Sequence, residues 1–170
     1  MIQIHGDHCY LDMRKPTNNA IHQYAREGDI DGVKGILGDD KNLVNAPDHR
    51  GFTPLILSSY NGYEEITRVL IEYGADINAK DAAGNSALMG VCFKGYPGIA
   101  RLLIDHGADI NAQNQNGATA LIYAATFGQL DILRMLLEKN ADKSIKDVRG
   151  NTALAQAKMQ GNEPVIQLLS

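Results

Sequence analysis

The chain has 170 residues, 44% of them hydrophobic, and 16 Lys and Arg against 20 Asp and Glu give a formal net charge of -4. That is enough apolar material for one continuous core and too little net charge for a disordered chain. The acidic balance, with no run of Lys or Arg to displace counterions from phosphates, excludes a nucleic-acid footprint, and Cys9 and Cys92, far apart and outside any C-x-x-C pair, point to neither a disulfide nor a structural zinc site.

Residues 1–17 read as an N-terminal arm. Met1 to Lys15 has polar and charged residues spread throughout, without the apolar stretch of a signal peptide, and no window of the chain approaches 18 consecutive apolar residues. No membrane association is expected and a cytoplasmic location is, although an export signal cleaved ahead of this numbering would leave no trace. Within the arm, His5-Gly-Asp-His8-Cys9 puts two imidazoles, a carboxylate and a thiol within five residues, a set that binds transition metals in other settings. The stretch has neither helical nor strand periodicity and reads more simply as a loosely docked arm, so no metal or other cofactor is expected.

Residues 18–47 carry Ala25, Gly28 and the pair Ile36-Leu37, with one extra residue before Asp48, which suits an N-terminal capping unit. From Asp48 to Lys146 the chain repeats every 33 residues without a gap: Gly51, Gly84, Gly117 and Gly150 share one register, and Gly62, Gly95, Gly128 and Gly161 a second. Such a period marks a short supersecondary unit stacked on its copies. In each unit a left-handed turn at the first Gly is followed two residues later by Thr53, Ser86, Thr119 or Thr152 as a helix N-cap, with Pro54 or an Ala at the first helical position. The first helix carries Leu55, Leu88, Leu121 or Leu154 and then small residues, and stops at the second Gly. A second, amphipathic helix comes next, as in Ile66-Thr-Arg-Val69-Leu70-Ile71, and ends at Gly74, Gly107 or Asn140, residue types that accept a left-handed cap. Units of 48–80, 81–113 and 114–146 result, with 147–170 as a C-terminal cap whose Lys158, Gln160 and Gln167 wet its outer face.

These residues resemble the ankyrin repeat. Gly74-Ala-Asp-Ile-Asn-Ala-Lys80-Asp81 and Gly107-Ala-Asp-Ile-Asn-Ala-Gln113-Asn114 are close copies of that family's inter-repeat segment, and Gly51-Phe-Thr-Pro-Leu is close to its helix-opening motif. The resemblance covers roughly residues 18–170 and implies an all-α solenoid of stacked antiparallel helix pairs with projecting β-hairpin loops. Where the family commonly has a His after Pro-Leu, this chain has Ile56, Met89, Ile122 and Ala155, which are expected to pack between units instead. Asn140-Ala-Asp-Lys143-Ser144 lacks the Ile-Asn pair of the earlier hairpins, and a looser third junction is expected. Asn78 and Asn111 read as hairpin-geometry residues; the alternative is the asparagine hydroxylation known in animal ankyrin proteins.

No phosphate loop, H-E-x-x-H or G-x-S-x-G is present. Asp48, Asp81 and Asp147 recur at one place in successive units and read as turn-stabilising Asx residues, not as catalytic carboxylates. Cys92 falls on a small-residue position and is expected to be buried.

The resemblance places the partner-facing positions on the hairpin tips and on the solvent side of the first helix: His49, Arg50, Phe52, Asn85 and Arg149 on the tips, and Tyr60, Asn61, Phe93, Lys94, Thr126, Phe127 and Met159 on the helices. The repeat does not need Phe52, Phe93 or Phe127 in order to fold, whereas interfaces favour aromatic, Met and Arg anchors. Tyr60, Phe93 and Met159 share a register and are expected to form a ladder; packing against the neighbouring unit is the competing reading of these aromatics. The expectation is a non-enzymatic, monomeric module that binds a partner protein through its concave groove and hairpin tips, as an adaptor or as an inhibitor or protector. The alternative is an enzyme, or a small-molecule or metal binder, that uses the groove or the His5/His8/Cys9 cluster.

Overall fold

A computed structural model describes residues 18–170; the arm with His5, His8 and Cys9 lies outside the described residues. Helices α1 (Asn18–Glu27), α3 (Pro54–Tyr60), α5 (Ala87–Lys94), α7 (Ala120–Thr126) and α9 (Ala153–Gln160) form an inner row in which each packs on the next. Helices α2 (Ile30–Asp39), α4 (Glu64–Glu72), α6 (Pro97–Asp105), α8 (Leu130–Glu138) and α10 (Glu163–Leu169) form an outer row. A 3-10 turn, Lys41–Asn45, comes after α2. The extra residue before Asp48 is absorbed inside α2, which has 10 residues where α4, α6 and α8 each have 9. No helix among the described residues is long and apolar enough to cross a membrane.

The N-caps fall where the hydroxyl residues predict. Thr53, Ser86, Thr119 and Thr152 each accept a hydrogen bond from the backbone N–H three residues on, an arrangement worth about 1 kcal/mol per cap. Leu55, Leu88 and Leu121 are buried behind them, while Leu154, in the last unit, is half-buried. The small residues next along the chain let inner helices approach closely: Ser58, Ser59, Val91, Cys92, Ala124 and Ala125 are all fully buried. The two serines remain satisfied, Ser58 through the Leu55 carbonyl and the Thr67 hydroxyl, and Ser59 through the Ile56 carbonyl. Ile56, Met89 and Ile122 are buried between units as expected, and Ala155 is half-buried. Burial pushes the Cys92 thiol far above the ordinary cysteine range, so it packs as a small hydrophobe and not as a nucleophile.

The projecting segments are tight turns rather than ladders. Among the described residues there is no strand, only an isolated bridge between Lys80 and Ser86. Asp48 N–H donates to the Phe52 carbonyl and Gly51 N–H to the Asp48 carbonyl, at 2.9 Å each, and the pattern recurs at Asp81, Asn114 and Asp147. These few bonds close the turn, and the next ones run between units: Ala82 N–H to the Arg50 carbonyl (3.2 Å), Gln115 N–H to the Ala83 carbonyl (3.1 Å) and Val148 N–H to the Asn116 carbonyl (2.9 Å). The tips are therefore stitched together along the stack.

A second set of links runs behind the tips. Asn45 accepts from Asp76 N–H (2.7 Å) and donates to the Gly74 carbonyl (3.3 Å), and Asn78 repeats this with Asp109 and Gly107. Asn111 accepts from Asp142 N–H at 2.9 Å. Hairpin geometry thus accounts for Asn78 and Asn111 by bonds to the following unit. At the next register position Ser144 bonds, among the described residues, within its own loop to Asp142, and Lys143 instead reaches the Leu169 carbonyl at the end of α10. The loss at the third junction is confined to the loop, since Ala153 and Ala157 of α9 are buried against the stack.

The turn carboxylates make folding sensitive to acid. Burial acts to raise the Asp48 pKa, but N–H donation from Arg50 (2.8 Å) and Phe52 (2.9 Å), with His22 and His49 nearby, holds it below the ordinary value. Donation from Asn151 N–H, aided by Arg149 and Gln156, does the same for Asp147. A lowered folded pKa contributes stability that is fully present above the unfolded value of about 3.9 and is lost as pH falls through the folded one. Thermal melts of Asp48→Asn/Asp147→Asn should therefore show a shallower fall below about pH 4 than the wild type; an equally steep fall would show that these groups are not linked to folding. Asn114 already makes the same turn with an amide, its Oδ1 accepting from Asn116 and Ala118 N–H.

Candidate functional site

A cavity of about 710 Å³ opens between the turn tips and the inner helices. His49, Arg50, Phe52, Tyr60, Asn61, Asn85 and Phe93 line it, so one space gathers most of the residues singled out in the sequence. Thr126, Phe127, Arg149 and Met159 do not line it, and neither does Lys94, although its Nζ stands 5.2 Å above the Tyr60 ring. The Arg50 guanidinium stands likewise 5.2 Å above the Phe52 ring, a cation–π placement worth about 0.5–1 kcal/mol at exposed sites. Arg50 and Lys94 make no ion pair among the described residues.

The aromatic ladder differs from the register drawn on the sequence. Tyr60 and Phe93 stack with centroids 6.1 Å apart, and Phe93 then meets Phe127 edge to face at 4.6 Å, not the residue at the matching position, Thr126. The Thr126 hydroxyl turns back onto the Ile122 carbonyl at 2.8 Å, and Phe127, as the C-cap of α7, supplies the ring from one position further on. Tyr123 stacks behind Phe127 at 6.4 Å. Tyr60, Phe93 and Phe127 remain 41%, 39% and 46% exposed, so packing on one another leaves a large part of each ring open to solvent. Met159 is exposed on the last unit, as is Arg149.

Several polar groups at the groove are committed internally. Asn61 donates to the Leu57 carbonyl at the end of α3. Asn85 donates to Asp81 and accepts from Asn114 Nδ2 (2.8 Å) and the Tyr123 hydroxyl (3.5 Å), which makes it a brace between two units more than a free selector. Arg26, Gly90 and Tyr123 also line the cavity and were missed. Arg26 was legible: counted back from Gly28, as Tyr60 is from Gly62, it holds the place in the first unit that Tyr60 holds in the second. It bridges to Asp48 at 3.4 Å. Gly90 was legible as a glycine in mid-helix where Leu57 and Tyr123 stand in the adjacent units.

The family model for ankyrin repeats, in three copies, matches residues 21–114, 80–147 and 111–170. The chain belongs to the ankyrin-repeat family. Ankyrin repeats generally mediate protein–protein interaction, and domains built of them are typically non-enzymatic. Among curated proteins, the chain is 53% identical over 57 residues to the DNA-binding protein RFXANK of Homo sapiens, covering 34% of this chain and 22% of that protein. It is 39% identical over 71 residues to an acyl-CoA-binding domain-containing protein 6 homolog of Dictyostelium discoideum, covering 42% and 25%. With ankyrin repeat domain-containing protein 29 of Danio rerio it shares 37% over 62 residues, covering 36% and 21%. The chain spans about a quarter or less of the length of these relatives. What the likeness carries over is the repeat.

Proposed function

We propose that the chain binds a partner protein through the groove and the turn tips, without catalysis, and acts on that partner as an adaptor or as an inhibitor or protector. The observation that carries this is the exposed aromatic run Tyr60–Phe93–Phe127 on a scaffold whose tips are stitched by backbone hydrogen bonds. A surface ordered before the encounter loses little conformational freedom on binding, so more of the contact energy appears as affinity. Residues 18–47 and 147–170 serve this reading as caps that end the stack, and Arg50, Lys94 and Arg149 as selectors at its rim. The test is capture from lysate of the native cell with the wild type and with Phe93→Ser/Phe127→Ser as baits. A partner held by the wild type and lost by the folded variant supports the groove; equal capture by both removes it.

A further inference from the structure

The floor of the groove lacks one side chain. Leu57, Gly90 and Tyr123 occupy one register in α3, α5 and α7. Leu57 is buried, and Tyr123 is half-buried with its hydroxyl held by Asn114 Nδ2 at 3.2 Å and by Asn85. Gly90 lies within α5, away from its caps, and is not among the residues with a positive φ. Glycine weakens a helix interior, and the helix conformation does not call for it here. What it provides is clearance beside Tyr60: a Cβ at position 90 would crowd Tyr60 Cδ2 at 3.2 Å and meet no other neighbouring atom within 4 Å, so the backbone at Gly90 itself lines the cavity.

Arg26, Arg50 and Asp81 line the cavity and Lys94 stands beside it over Tyr60, so cations outnumber carboxylates here in a chain whose net charge is -4. Arg50 and Lys94 are exposed and make no ion pair among the described residues. The nearby carboxylates are engaged: Asp81 accepts from Ala83 N–H, Asn85 N–H and the Asn85 amide, and Asp48 from its own turn and from Arg26. Bringing a partner carboxylate to Arg50 or Lys94 would break no existing ion pair.

Building on the proposed groove binding, we infer that the occupant is an acidic peptide segment of a partner protein: one large apolar side chain enters the notch over Gly90, and an Asp or Glu within a few residues of it meets Arg50 or Lys94. The apolar side chain supplies the buried anchor. The carboxylate supplies selectivity and salt-dependent attraction.

The probe is a library of random peptides displayed on phage and selected on the purified chain, followed by affinity measurements on the enriched peptides made synthetically. Enriched sequences should pair a large apolar residue with Asp or Glu, and should bind roughly tenfold more weakly to Gly90→Leu and to Arg50→Glu/Lys94→Glu, and more weakly to the wild type as salt is raised. Gly90→Ala repeats the notch test with a smaller change where Leu disturbs folding. Enrichment of neutral or basic sequences, recovery of no peptide, indifference to both substitutions at position 90, or sedimentation showing that a second copy fills the groove would each overturn the inference. These results leave the groove reading in place so long as lysate capture still depends on Phe93 and Phe127; capture independent of them removes the groove reading itself.

Discussion

Gly51→Ala is expected to destabilise the protein by about 2–5 kcal/mol, against about 1–2 kcal/mol for Gly150→Ala. The two glycines hold equivalent turn positions with nearly the same backbone, φ +80° and +84°. Each forces any L residue into the left-handed region, so the strain on the variant's own turn is shared by both substitutions. They differ in what lies beyond the missing side chain. A Cβ on Gly51 would sit 2.8 Å from the backbone nitrogen of Ala82, and Asp81 backbone atoms lie just behind it. That nitrogen is held in place by its hydrogen bond to the Arg50 carbonyl, so no rotamer change relieves the clash and the tips must separate. Gly150 closes the last turn, and a Cβ there meets nothing within 4 Å. Urea unfolding of the two single variants measures the difference; equal losses would show that strain within the turn, and not the stacking of tips, sets the requirement for glycine.

The same comparison explains what the sequence made legible. A residue needed in every unit appears every 33 positions, so the turn glycines, the hydroxyl caps and the Asx residues could be read from recurrence alone. The structure bears them out down to Asn140, which adopts φ 60° where Gly74 and Gly107 stand in the earlier units. Features present in one unit only leave no such trace. The shift of the aromatic run from Thr126 to Phe127 depends on how α7 ends, and neither side chain announces it. The opening over Gly90 departs from the pattern and was readable as an exception, but its meaning needs Tyr60 as a wall. The outer-helix caps show the same limit. Tyr63 and Tyr96 lay their rings over Gly28 and Gly62 of the preceding units, so those glycines answer both to a left-handed turn and to a close approach that period counting does not reveal.

Phe93→Ser/Phe127→Ser separates packing from binding on the aromatic run. Truncating a fully buried Phe costs about 3–5 kcal/mol, but these rings are 39% and 46% exposed, so each alone should cost about 1–2 kcal/mol. Their edge-to-face contact, worth about 0.5–1.5 kcal/mol, is counted in both single variants, so the double variant should lose less than their sum, about 1–3 kcal/mol. For a domain of this size that lowers Tm by about 2–12 °C and leaves the fold in place. Binding should suffer more. Aromatic anchors at the centre of an interface each contribute about 2 kcal/mol or more to the complex, so removing both, about 4 kcal/mol where the two add, should weaken capture of the partner by roughly several hundredfold. Arg101→Gln is the control, since Arg101 is exposed on the outer helix α6, away from both the groove and the turn tips, and it should change neither quantity. Calorimetry and partner capture on the same three proteins decide the matter. Collapse of the double variant with Tm lost altogether would make the run part of the core. A modest fall in Tm with unchanged capture would leave the rings exposed for a reason other than this partner.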